Sequence, residues 1–199
     1  MRITAEEKEA TRQRIEAAAL ELFRTRGFEA TTTRDIAKAA QIATGTLFNY
    51  FVAKETIVAA LAEEGLAKAH ATVEKQPAAE TLEESLFTLV AAELRQLRPL
   101  RKFITPVLET ALCPLASATQ NGEASLRVRH LETVARIARA HGVAENSPVA
   151  WQVYWSLYSG VLAHWAADKS PKQEDTLALL DNSLHMFAAW LQDAAAEPL

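Results

Sequence analysis

The stretch Thr31–Phe51, TTTRDIAKAAQIATGTLFNYF, is the part of this chain with the fewest structural solutions. Thr32 reads as a helix N-cap with Asp35 three residues on, a variant of the capping box. Ile36, Ala37 and Ala40 point inward, and Ala37 must be small where two crossing helices meet. Ala40–Gln41–Ile42 forms the turn, with Ile42 as the apolar plug beneath it. The next helix, Thr44–Phe51, is too short to stand alone in water. Leu47 and Phe51 anchor it from below and Phe48 is partly packed, so Thr44, Gly45, Thr46, Asn49 and Tyr50 face outward. Two short helices around a tight turn, the second presenting small polar side chains, is how a helix-turn-helix offers a recognition helix to the DNA major groove.

The rest of the chain also reads as helix. Glu6–Arg26 carries an apolar stripe of Ile15, Ala18, Ala19, Leu22 and Phe23, stopped by Gly27 with Phe28 packing back. Arg12 and Arg14 read as solvated charges, with flanking phosphate contacts as the other reading. Lys54–Val73 is a long helix with Ile57, Val58, Leu61 and Leu66 inward. Leu82–Leu97 follows, with Leu82, Leu86, Leu89, Val90 and Leu94 inward. Leu100–Leu112 is a shorter helix kinked or split by Pro106, and Glu123–His141 runs to a stop at Gly142.

The last two helices carry more apolar surface than one neighbour can cover. In Pro148–Lys169, Trp151, Trp155, Tyr158, Leu162 and Trp165 recur at helical spacing, and Ser156, Gly160, Ala163 and Ala167 form a small-residue edge. In Pro171–Ala195, Leu177, Leu180, Leu184, Phe187 and Leu191 form one line and Leu179, Ser183, Met186 and Trp190 another. One face can pack on its own body and the other on a second chain. The expected dimer contacts are Trp151, Trp155, Leu162, Leu184, Phe187 and Leu191.

Composition narrows the functional classes. The 49% apolar content suffices for a core, and Gly and Pro are sparse at 6 and 7. The single cysteine, Cys113, allows no disulfide within the chain and reads as a small buried hydrophobe, which suits a reducing cytoplasm. There is no signal-peptide pattern at the amino end and no apolar run approaching the ~18 residues of a membrane span. Met1–Lys54 holds nine Lys/Arg against seven Asp/Glu, a balance of +2, on a chain whose net charge is −4. That asymmetry suits a nucleic-acid contact confined to one end. His70, His130, His141, His164 and His185 never fall at i, i+4 with an acidic third ligand, so no metal and no cofactor is expected. No nucleophile–base motif points to an enzyme.

Gly27-Phe28, Thr32 to Ala37, Gly45 to Phe51 and Lys54-Glu55 together resemble the amino-terminal domain of the TetR family of bacterial transcriptional regulators, over about Glu6–Leu61. The resemblance implies DNA contacts at Thr33, Arg34, Thr44, Gly45, Thr46, Asn49, Tyr50 and Lys54. Arg34 would reach a guanine edge, while Thr33, Tyr50 and Lys54 would bind phosphate. Three positions depart from the family pattern. Gln41 stands where glycine is usual and would carry left-handed strain. Ala43 replaces a capping serine, and Phe48 replaces a tyrosine.

The resemblance also implies an apolar effector cavity, for which Phe87, Phe103, Glu109, His130, Trp155 and Tyr158 are the candidates. The expectation is an all-α chain with a helix-turn-helix domain at 1–53 and a larger helical effector-binding and dimerisation domain at 54–199, about nine helices in all. Its partners would be a palindromic DNA operator, a small-molecule effector and a second copy of the chain. The rival reading is an interaction protein that uses the same fold to recruit a protein partner.

Overall fold

The structure is a computed structural model that describes residues 4–76, 79–105, 119–120, 123–124, 126–143 and 148–196. The kink expected at Pro106, the pocket role expected of Glu109 and the burial expected of Cys113 lie outside these residues. The described residues form α1 (Ala5–Arg26), α2 (Thr33–Ala39), α3 (Thr44–Phe48), α4 (Lys54–Val73), α5 (Leu82–Leu97), α6 (Leu126–Ala140), α7 (Pro148–Ala167) and α8 (Glu174–Ala196). Two 3-10 turns, Arg98–Phe103 and Pro171–Gln173, flank α5 and α8. The architecture is all-α. Among the described residues the one exception is a two-residue antiparallel ladder of β1 (Thr119–Gln120) and β2 (Glu123–Ala124).

Four boundaries differ from the sequence expectation, each for a backbone reason. α3 ends at Phe48 rather than Phe51, because the next amides tighten onto Thr46 and Leu47 carbonyls. Arg98–Phe103 winds as a 3-10 helix where the α-helix Leu100–Leu112 was expected. Glu123 and Ala124 spend their backbone groups on the ladder, so α6 starts only at Leu126. Lys172 and Gln173 take left-handed backbones, φ 52° and 62°, which delays α8 to Glu174.

The chain divides into two compact units. The first is Met1–Glu64 with Pro99–Val107; the second is Gly65–Arg98 with Leu108–Leu199. The first therefore runs past the expected boundary at residue 53, into α4. Its core joins Ile15, Ala19, Phe23, Ile36, Ala37, Leu47, Phe51, Ile57 and Val58, all buried. Phe23, Phe28 and Phe103 cluster there, with ring centroids 5.0 to 6.3 Å apart. In the second unit α8 packs on α5 and α7, and α6 packs on α5 and α7. Leu86, Leu89, Val90, Tyr154, Val161, Trp165, Leu180 and Phe187 fill its core.

Capping explains why these helices start where they do. Thr4, Thr32 and Thr81 each accept from the N3 amide, and Glu7, Asp35 and Glu84 reciprocate. α8 is served from outside: Asp168 Oδ2 accepts from the Thr176 amide (3.1 Å) and hydroxyl (2.5 Å), while Oδ1 accepts from the Ser170 amide (2.7 Å). Those bonds, the Thr176 side chain first, hold the Asp168 carboxyl well below the usual carboxylate range.

Candidate DNA-binding head and effector cavity

The turn between α2 and α3 is a Schellman motif. The Gln41 amide donates to Lys38 O (3.2 Å) and the Ile42 amide to Ala37 O (3.0 Å). Gln41 sits at φ 57°, the left-handed backbone anticipated for it. The same motif ends α6, where Gly142 (φ 76°) occupies the equivalent place without the Cβ penalty. Gln41 is therefore strained where glycine would not be. The turn before α2 is held by Thr31, buried, whose hydroxyl donates to Gly27 O at 2.7 Å.

These turns set the outward face. Leu47 and Phe51 are buried beneath it, as expected, while Phe48 is 47% exposed rather than partly packed. Gly45 and Asn49 are exposed, and Thr44, Thr46 and Tyr50 are half-buried. A Cβ built on Gly45 would meet no atom within 4 Å, so packing inside the chain does not require glycine there. Ala43 gives α3 no side-chain cap. At the start of α2 Thr33 is half-buried, and Arg34 is exposed with no ion-pair partner among the described residues. Arg12 pairs with Glu16 at 3.0 Å; burial first, against Arg12, raises the Glu16 carboxyl.

Lys54 is more engaged than its expected phosphate role requires. Its ammonium donates to Phe28 O (2.8 Å), lies 4.2 Å from the Phe28 ring centroid and is 3.9 Å from Glu29. The side chain is 19% exposed. It clamps the loop after α1 to the start of α4, and still has N–H groups for a phosphate.

In the second unit an open cavity of about 270 Å³ is lined by α4, α5 and α6. His70, Val73, Ser85, Thr88, Ile137 and His141 are among its walls. Ser85 Oγ and His141 Nε2 are hydrogen-bonded at 2.8 Å, and Arg136 pairs with Glu74 beside them. Of the expected pocket residues, Phe87, Phe103, His130, Trp155 and Tyr158 do not line it. Phe103 belongs to the aromatic cluster of the first unit. The rings of His130, Trp155 and Tyr158 pack on one another, with centroids 4.0 to 6.1 Å apart, and fill space rather than enclose it.

Behind the cavity wall lies a buried polar cluster. Glu93 is 0% exposed, and its Oε1 faces His70 Nε2 at 2.6 Å and His130 Nδ1 at 2.8 Å. His130 Nε2 meets the Tyr154 hydroxyl at 3.0 Å, and His70 Nδ1 meets Thr133 Oγ1 at 3.2 Å. Burial pushes the Glu93 carboxyl up, but His130 and His70 push it further down, to about 2. Burial, then the Glu93 charge, holds the Tyr154 and Tyr158 phenols well above their usual range. Glu93 falls on the apolar face of α5 that carries Leu86, Leu89, Val90 and Leu97, a signal the sequence reading passed over.

The expected dimer contacts are largely interior. Trp155, Leu162, Leu184, Phe187 and Leu191 are buried within the single chain and Trp151 is half-buried, so these side chains already pack inside the subunit. The exposed apolar side chains of α8 are Leu177, Leu179, Met186 (60%) and Trp190 (38%). On α7 the small edge Ser156, Gly160, Ala163 and Ala167 is exposed.

Residues 15–61 match the family profile described as bacterial regulatory proteins, tetR family. The chain is 38% identical over 55 residues to the HTH-type transcriptional regulator UidR of Escherichia coli strain K12. That alignment spans 28% of each chain, so it covers well under half of UidR. Among solved structures, the chain is similar to the Thermus thermophilus FadR, a TetR-family repressor in complex with lauroyl-CoA. The match has 27% identity and a TM-score of 0.67, over 89% of this chain and 93% of that one. A TetR regulator from Rhodococcus sp. RHA1 shares the fold, at 18% identity and a TM-score of 0.63 over 91% and 97% of the two chains. The helix-turn-helix geometry around Gln41 lies within the segment that matches the tetR-family profile, residues 15–61, and most of the chain is similar in fold to the Thermus thermophilus FadR.

Proposed function

We propose that the chain is a repressor that binds a palindromic operator as a homodimer and is released by a small molecule. The observation that carries this is the outward polar face of α3 beside Arg34, exposed and without an ion-pair partner among the described residues, in the segment that matches the family profile. Residues 1–53 act as the DNA-binding domain and 54–199 as the effector-binding and dimerisation domain. Arg34, Thr44, Thr46 and Asn49 supply base preference, and Thr33, Tyr50 and Lys54 hold phosphates. Gly45 lets the backbone approach the duplex.

One five-residue helix binds weakly, and two heads ~34–36 Å apart read a two-fold site. The dimer forms through the exposed Leu179, Met186 and Trp190 line of α8 and the small edge of α7. Among the described residues no helix is long and apolar enough to cross a membrane. A regulator of bacterial DNA works in the cytoplasm. The relatives named above are regulators, and we read this chain as one rather than as an enzyme.

The effector enters the cavity between α4, α5 and α6 and must bind the two DNA-affinity states unequally. The lauroyl-CoA bound to the Thermus thermophilus FadR makes acyl thioesters the first class to screen. The test is selection of bound duplexes from a random pool, followed by binding measured against salt. Arg34→Ala should relax preference at one base position, with a loss of about 1–3 kcal/mol of discrimination there. A pool that yields no palindrome, with Arg34→Ala binding every duplex as the unaltered chain does, would sink the reading.

A further inference from the structure

We propose that His70, Glu93 and His130 form a binding site for one divalent transition-metal ion of the zinc type. One ligand atom comes from each of α4, α5 and α6, and the three lie within 4.8 Å of one another. Both imidazoles aim at the same carboxylate oxygen, Glu93 Oε1, at 2.6 and 2.8 Å. Two histidines and a carboxylate with positions left open is a common donor set for zinc, cobalt and iron.

The groups behind the imidazoles support an ion. The Thr133 hydroxyl lies 3.2 Å from His70 Nδ1 and 3.1 Å from Arg129 O, which fixes the orientation of the His70 ring. His70 Nε2 thereby faces Glu93 Oε1 at 2.6 Å, where an ion competes with an Nε2 proton for the carboxylate. On His130 the far nitrogen is held by the Tyr154 hydroxyl. Metal-binding histidines are oriented in this way through the ring nitrogen that does not touch the ion.

A proton on His70 is the competing occupant. It would satisfy Nε2, but it leaves Glu93 Oε2, which is buried and makes no hydrogen bond of good geometry among the described residues, with only the neighbouring Tyr158 phenol to offset its charge. An ion held by both carboxylate oxygens uses that atom. His70 is 14% exposed and lines the 270 Å³ cavity, which gives the ion a path and leaves room for a further ligand. Ligands of a tetrahedral ion with bonds of about 2.0–2.1 Å stand about 3.3 Å apart, so loading would part the imidazoles from the carboxylate by about 0.5–0.7 Å and draw together ligand atoms that now lie within 4.8 Å of one another.

The site is independent of the DNA-binding reading, since its test needs no duplex. The full-length chain is stripped with a chelator and titrated with Co²⁺ in the visible, then with Zn²⁺ against a chromophoric chelator. The expected result is one ion per chain, with Co²⁺ bands of a four- or five-coordinate nitrogen–oxygen site and a raised Tm. His70→Gln and Glu93→Gln should each weaken binding at least tenfold, while His185→Gln, at an exposed residue, should not. His70 sits at the cavity wall, so His70→Gln is the variant expected to keep its fold, checked by circular dichroism. Absence of saturable binding in the unaltered chain overturns the proposal. So does binding that survives undiminished in folded His70→Gln.

Discussion

Replacing Lys54 by methionine tests the head on two axes at once. The change keeps most of the apolar stem and removes the ammonium. Its bond to Phe28 O is charge-assisted, a class worth about 1.5–3 kcal/mol, and the Phe28 ring adds about 0.5 kcal/mol at a partly exposed site. Against this, a cation at the first residue of α4 opposes the helix dipole, and removing it recovers about 0.3–1 kcal/mol. The first unit should lose about 1–3 kcal/mol of stability in total, the hydrogen bond outweighing the dipole.

Tryptophan fluorescence is blind to this loss, because Trp151, Trp155, Trp165 and Trp190 all lie in the second unit. Amide hydrogen exchange of α1 to α3 reports it instead. If Lys54 also holds a phosphate, the slope of log affinity against log salt should shrink by about 0.9 per head. Unchanged exchange protection together with an unchanged slope would refute both roles. An unchanged slope with lost protection would leave Lys54 as a clamp and remove it from the DNA contacts.

Other perturbations probe the remaining features. Gln41→Gly should stabilise the first unit by about 0.5–1 kcal/mol, the relief of a left-handed Cβ less the added freedom of the unfolded chain, while Gln41→Val should destabilise it; exchange of the α2 amides decides. Gly160→Leu fills open space on the exposed edge of α7 and should leave each subunit folded, yet sedimentation should find monomers; a surviving dimer would move the interface elsewhere. The Asp168 carboxyl titrates lower in the folded chain than its usual value of about 4, so its contribution is present above that pH and fades as pH falls below it. Asp168→Asn should therefore lower Tm at neutral pH and flatten the acid limb of a Tm-against-pH curve; an unchanged limb would contradict the hydrogen-bond account.

Much of the fold was legible because its signals are local. The capping pair Thr32 and Asp35, the stop at Gly27 and the anchors Leu47 and Phe51 act within a few residues of themselves, so spacing reveals them. The strain at Gln41 was legible too, since it depends on one residue's Cβ and the turn around it. The two apolar lines of α7 and α8 were visible, but not which line faces inward. Period identifies a face; only the neighbour identifies its partner. The structure buries Leu184, Phe187 and Leu191 and leaves Met186 and Trp190 outside.

The polar cluster in the second unit shows the same division. Glu93 lies 23 residues from His70 and 37 from His130, and no repeat or spacing rule connects them. The sequence by itself determined that helices form here, where α2, α4, α5 and α7 begin, and which short polar-faced segment follows the turn at Gln41. The tertiary structure alone decided that two imidazoles meet one buried carboxylate and that Phe103 joins Phe23 and Phe28 rather than the cavity of the second unit. Contacts between distant residues depend on how whole helices cross, and no window of sequence contains that crossing.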